Sequence, residues 1–96
     1  MNFEIAGKTA IVTAGSLGIG KATALSLAKE GANVAICGRD EDNLAAAVKD
    51  IQAHRDVKVH TSVVDITDTL QIERFISEVR DEFGAISILV NNASGT

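Results

Sequence analysis

Along this chain, short apolar runs alternate with stretches in which apolar residues recur every three or four positions. Lys8 to Thr13 reads as a first strand. Ile19 to Glu30 has helical spacing, with Ile19, Ala22, Leu25 and Ala28 expected to face inward and Gly31 to stop the helix. Asn33 to Cys37 is a second strand. Asp40 to His54 reads as a second helix: Asp40 suits its cap, acids fill its first turn, and Leu44, Val48 and Ile51 form its apolar stripe. Val57 to Val64 is a third strand, and the alternation in Val57-Lys58-Val59-His60 suits a half-exposed edge. Thr67 to Phe83 is a third helix with Ile72, Phe75, Ile76, Val79 and Phe83 on one stripe, closed by Gly84. Thr67 and Asp68 are both candidates for its cap. Ile86 to Val90 is a fourth strand.

The string is therefore β-α-β-α-β-α-β, with short links and no linker or repeat. Strands that alternate with helices imply an α/β fold with a parallel sheet joined by right-handed crossovers. The default arrangement is a Rossmann-type, doubly wound sheet with strand order 3-2-1-4. Residues 1–96 are expected to form one partial domain.

Composition narrows the partners. At 96 residues the chain buries roughly two-thirds of its unfolded surface. It has 46% hydrophobic residues but only three Phe and no Trp or Tyr, so its core must be aliphatic. A net charge of −4, with the charges interspersed, argues against a nucleic-acid partner. No apolar run approaches the ~20 residues of a membrane span, and Met1-Asn2-Phe3-Glu4 does not resemble a secretory leader. One cysteine, Cys37, fits a reducing cytoplasm and a core position. His54 and His60 lack ligand-spaced partners, so no metal site is expected.

The candidate chemistry lies after the first strand, in Thr13-Ala14-Gly15-Ser16-Leu17-Gly18-Ile19-Gly20. Strand, glycine-rich turn and helix start follow in the order of a phosphate cradle. Glycines let backbone approach a ligand closely, and the helix start aims unpaired N–H groups at an anion. A dinucleotide's pyrophosphate is the leading candidate, and a tight turn without a ligand is the alternative. Ser16 either donates its hydroxyl to a phosphate or braces the turn.

These residues resemble the short-chain dehydrogenase/reductase family. Its fingerprint Thr-Gly-x-x-x-Gly-x-Gly is matched by Thr13, Gly18, Ile19 and Gly20, its Asp after the third strand by Asp65, and its Asn-Asn-Ala-Gly by Asn91-Asn92-Ala93. Two positions depart from the pattern. Ala14 replaces a glycine, and a positive φ there would cost an alanine roughly 1–2 kcal/mol. Gly15 is expected to take up the unusual dihedral instead. Ser94 stands where the family has Gly, beside the expected nicotinamide ribose.

The resemblance implies a dinucleotide held by Gly15, Ser16, Leu17, Gly18, Ile19 and Gly20, with Asp65 accepting from the adenine amino group, Ile66 packing nearby, and Asn91 and Ala93 bordering the cofactor. Asn92 is expected to hold the turn. Asp65 has a local capping role as its alternative. The second strand ends at Gly38-Arg39, where NAD-binding members of such folds usually place an acid. A cation at a helix N-terminus is unfavourable unless an anion joins it, and a 2′-phosphate suits a guanidinium. NADP is therefore preferred over NAD, unless Asp40, Glu41 or Asp42 already pairs with Arg39.

In the family a Ser, a Tyr and a Lys four residues after that Tyr carry the chemistry. With no Tyr in the sequence, no catalytic residue is assigned, and the isolated chain is expected to be inactive. The resemblance thus points to the NADP(H)-binding half of an oxidoreductase that interconverts a carbonyl and an alcohol. A stand-alone nucleotide-binding or dimerising module is the alternative. The apolar fourth strand and thinly covered sheet face suggest a truncated domain that forms a homo-oligomer through that edge.

Overall fold

The computed structural model describes residues 7–13, 18–54 and 56–90. Seven elements follow in order: β1 (Thr9–Thr13), α1 (Gly18–Lys29), β2 (Asn33–Gly38), α2 (Glu41–His54), β3 (Val59–Val63), α3 (Thr69–Phe83) and β4 (Ile88–Val90). All pairings are parallel and the sheet order is β3-β2-β1-β4, as the alternation of elements predicts.

Pleating sends successive side chains of β1 and β2 to opposite faces, and each face meets its own helices. Ala10, Val12, Val34 and Ile36 pack against Ala24 and Ala28 of α1 and Leu44, Ala47 and Ile51 of α2. On the other face Ile11, Ala35 and Cys37 pack against Phe75 and Val79 of α3. One face thus carries two helices and the other carries one. Leu89 of β4, on the α3 side, remains 61% exposed.

The helix ends follow their residues. Asp40 Oδ1 accepts from the backbone N–H of Asp42 (2.9 Å) and Asn43 (3.1 Å), capping α2. At α3 the cap is Asp68, whose carboxylate accepts from the N–H of Leu70 and Gln71, which settles the choice left open between Thr67 and Asp68. Gly31 and Gly84, just beyond α1 and α3, adopt φ of 94° and 85°. That left-handed backbone suits glycine and ends each helix where the apolar periodicity stops.

Three details differ from the sequence reading. Ala22 is exposed, and α1 instead buries Gly20, Ala24 and Ala28. Steps of four residues keep one face of a helix toward the sheet, whereas repeated steps of three drift around it. On α2 the fully buried residues are Leu44, Ala47 and Ile51, with Val48 at the margin. The outer strands are shorter than expected. Val57 leaves the ladder to enter the α1–α2 core, and Ile86 packs beneath α3 instead of pairing.

Against the expectation of a wholly aliphatic core, Phe75 is 1% exposed within the smaller core, whereas Leu70 on the same helix is 73% exposed. Replacing Phe75 with Ala is expected to cost about 3–5 kcal/mol in urea unfolding, and Leu70→Ala less than about 0.5 kcal/mol.

Candidate functional site

Parallel pairing brings the carboxyl ends of β1, β2 and β3 to one edge, with Thr13 beside Cys37 and Gly38 beside Val63. α1, α2 and α3 all begin at this edge. From β1 the chain proceeds to β2 and β3 on one side, then crosses back to β4 on the other. The gap between β1 and β4 is therefore the point where winding reverses, the usual ligand crevice of an open α/β sheet.

The glycine-rich segment follows β1 at that reversal. Gly15, Ser16 and Leu17 lie outside the described residues, as do Asn91 and Ala93. Gly18, at the first position of α1, has a φ of 59°. A Cβ built there would meet no atom within 4 Å, so backbone angle and not crowding favours glycine. The expectation that Gly15 takes up an unusual dihedral falls outside the described residues. Ile19 and Gly20 continue the first turn of α1, and Gly20 is buried.

Arg39 is exposed immediately after β2. Among the described residues it forms no ion pair; Asp40, the acid beside it, holds the α2 backbone with Oδ1. The N–H of Val64 donates to the Gly38 carbonyl at 2.8 Å, so the chain leaving β3 runs beside the chain leaving β2. Arg39 and Asp65 consequently face the same edge, and the guanidinium's charge is felt at the Asp65 carboxyl.

Asp65 is the most constrained of the candidate residues. Its Oδ1 accepts from the Thr67 N–H at 2.9 Å and from the Thr67 hydroxyl at 2.7 Å. Its own N–H donates to Gln71 Oε1 at 2.8 Å, and its carbonyl accepts from the Asp68 N–H at 2.9 Å. The Thr67 bonds, aided by Arg39, hold its carboxyl below the usual carboxylate value. Ile66, next in sequence, packs beneath α3. There it helps line a hollow of about 320 Å³ bounded by Thr13, Ile72, Phe75 and Leu89.

Sequence reading missed two clusters. Sequence offers Thr67 only as a candidate helix cap and does not single out Gln71, although the spacing Asp65-x-Thr67 is that of a local side-chain turn. His60 of β3 stands between two carboxylates of α3, with Nδ1 2.8 Å from Glu82 Oε1 and Nε2 3.4 Å from Glu78 Oε1. Phe75 stacks on its ring at 6.0 Å. The four-residue spacing of Glu78 and Glu82 was visible in sequence; the strand residue facing them was not. Among the described residues, no three His, Cys, Asp or Glu side chains group to hold a metal, and no helix is long and apolar enough to cross a membrane.

Comparison with known proteins agrees with this geometry. The profile of short chain dehydrogenases matches residues 8–96, and the chain belongs to that family. It is 41% identical over 90 residues to an uncharacterized oxidoreductase of Staphylococcus saprophyticus, spanning 94% of this chain and 38% of that protein. It is also 41% identical over 90 residues to the L-rhamnose 1-dehydrogenase (NADP(+)) of Thermoplasma acidophilum, covering 94% of this chain and 35% of the relative. Among solved structures, L-sorbose reductase from Gluconobacter frateurii complexed with NADPH and L-sorbose superposes with a TM-score of 0.91 at 38% identity. That match covers 97% of this chain and 35% of the reductase. The chain therefore spans little more than a third of the length of these proteins.

Because the Asp65 carboxyl titrates lower when folded than its ordinary value of 3.8, the unfolded chain takes up the proton first as pH falls. The contribution to stability is complete above that ordinary value and is lost as pH drops through the native one. Carbon-detected NMR titration should show Asp65 protonating below the ordinary range, and Thr67→Val should move it upward.

Proposed function

We propose that residues 1–96 act as a single, partial dinucleotide-binding domain of a cytoplasmic NADP(H)-dependent oxidoreductase that interconverts a carbonyl and an alcohol. The observation that carries this reading is Arg39, a cation without an ion-pair partner among the described residues, at the end of the strand where an acid would select NAD. Its position beside the start of α2 favours an added anion, and a 2′-phosphate fits both its charge and its forked donors. The NADP(+) named for the Thermoplasma relative and the NADPH in the Gluconobacter structure support the same choice.

In this reading Gly15, Ser16, Leu17, Gly18, Ile19 and Gly20 surround the pyrophosphate, with α1 directing its free N–H groups there. Asp65 accepts from the adenine amino group beside Ile66, and Asn91 and Ala93 border the nicotinamide end. Bound nicotinamide supplies or accepts the hydride. This chain's own residues bind and orient; lacking Tyr, the 96 residues hold no counterpart of the family's proton-transferring Tyr, and the isolated chain is inactive in this account. The expected pair Tyr-x-x-x-Lys then belongs to a further segment of the same protein.

A second feature favours self-association. β4 pairs with β1 on one side, no strand pairs with its other side among the described residues, and its Leu89 is 61% exposed. Such an edge recruits another chain. Sedimentation velocity of the purified chain is expected to show a homogeneous oligomer; a monomer at all concentrations counts against this part of the reading.

Calorimetric titration should find NADPH bound more tightly than NADH by about tenfold, the worth of one charge-assisted contact. Arg39→Asp is expected to abolish or reverse the preference. Equal affinities before and after the substitution would remove Arg39 from the account.

A further inference from the structure

Asp65 has two carboxylate oxygens, and the structure treats them differently. Oδ1 receives both donors of one residue, the Thr67 N–H at 2.9 Å and the Thr67 hydroxyl at 2.7 Å. Oδ2 has no hydrogen-bond partner among the described residues. A carboxylate held by two bonds at one oxygen cannot spin about its terminal torsion, so the second oxygen keeps one direction.

The backbone beneath it is fastened as well. Gln71 Oε1 accepts from the Asp65 N–H, while Gln71 Nε2 donates to Asp68 Oδ2 at 3.1 Å. Asp68 in turn caps α3 through Oδ1 and donates its own N–H to the Asp65 carbonyl. Hydrogen bonds thus tie the start of α3 to both backbone groups of Asp65, while Thr67 holds its carboxyl. Thr67 itself is exposed and packs into neither core, so its side chain has no evident duty except this contact.

We propose that Thr67 is a positioning residue for base recognition, holding Asp65 Oδ1 so that Oδ2 remains as a fixed acceptor for an exocyclic amine. The inference rests on the cofactor reading above and deepens it, because it assigns the choice of base to a residue that does not touch the ligand. Two features of the edge select such a ligand together. Arg39 presents a cation beside the end of β2, and Asp65 presents a lone acceptor beside the end of β3. A nucleotide bearing phosphate at one point and an amino-substituted base at another matches both. A base with a carbonyl oxygen in place of the amine would set two acceptors against each other, and an unpaired polar contact of that kind discriminates strongly.

The test is calorimetric titration of the purified chain and of its Thr67→Val and Thr67→Ser forms with NADPH and with its hypoxanthine counterpart, in which a carbonyl replaces the adenine amine. The unmodified chain should prefer NADPH. Thr67→Val keeps the backbone donor but loses the hydroxyl, and should shrink that preference by about fivefold, with the change falling on NADPH alone. Thr67→Ser should restore it. An unchanged preference in Thr67→Val, or an equal loss for both dinucleotides, overturns the assignment while leaving the cofactor reading in place. If the unmodified chain binds neither dinucleotide, the cofactor reading fails and takes this inference with it.

Discussion

The placement of β1 between β2 and β4 is the constraint on which the rest of the structure depends. Every residue of β1 is buried, because the strand is paired on both sides and covered on both faces. Its side chains can therefore only be apolar or small, and its backbone groups are taken up by the ladder. With β1 fixed in the middle, the chain must leave it toward β2 and later return to β4 on its other side. That reversal opens the crevice at the carboxyl edge. Moving β1 outward would separate the glycine turn from Arg39 and Asp65, which meet because Gly38 and Val64 bond across adjacent strands.

The edge so formed is chemically uneven. Asp40 and Asp68 serve as caps, and their carboxylates are engaged with helix backbone. Arg39 and one oxygen of Asp65 stand apart from that internal bonding. A site gains selectivity when its own polar groups are either satisfied or held ready for a ligand, since ordering them on binding costs entropy. Membership of the short chain dehydrogenase family agrees with such an edge. Farther away, His60 between Glu78 and Glu82 ties the outer strand β3 to α3, the helix from which the Asp65 loop is hung.

Much of this was legible in sequence because the signals were local and repeated. Element order, the Asp40 cap and the glycine stops at Gly31 and Gly84 follow from short patterns. The sheet order followed from their alternation, and it brought Arg39 and Asp65 to one edge. The inward face of α1 was not legible, since Ala22, Ala24 and Ala28 are equally apolar and only contact with the sheet distinguishes them. The shortening of β4 was hidden for a similar reason: Ile86 is as apolar as a strand residue but packs under α3. At the site, Thr67 and Gln71 act through side-chain geometry that spacing suggests without specifying. His60 depends on a contact across 22 residues of sequence, beyond any local pattern.

The most direct test of the account is amide NMR of the labelled chain during titration with NADPH. The account predicts saturable shifts concentrated at Gly18, Gly20, Arg39 and Asp65, with the opposite edge around Gly7, Ala32 and Lys58 unmoved. Shifts centred on that opposite edge, or spread evenly with no saturation, would contradict it.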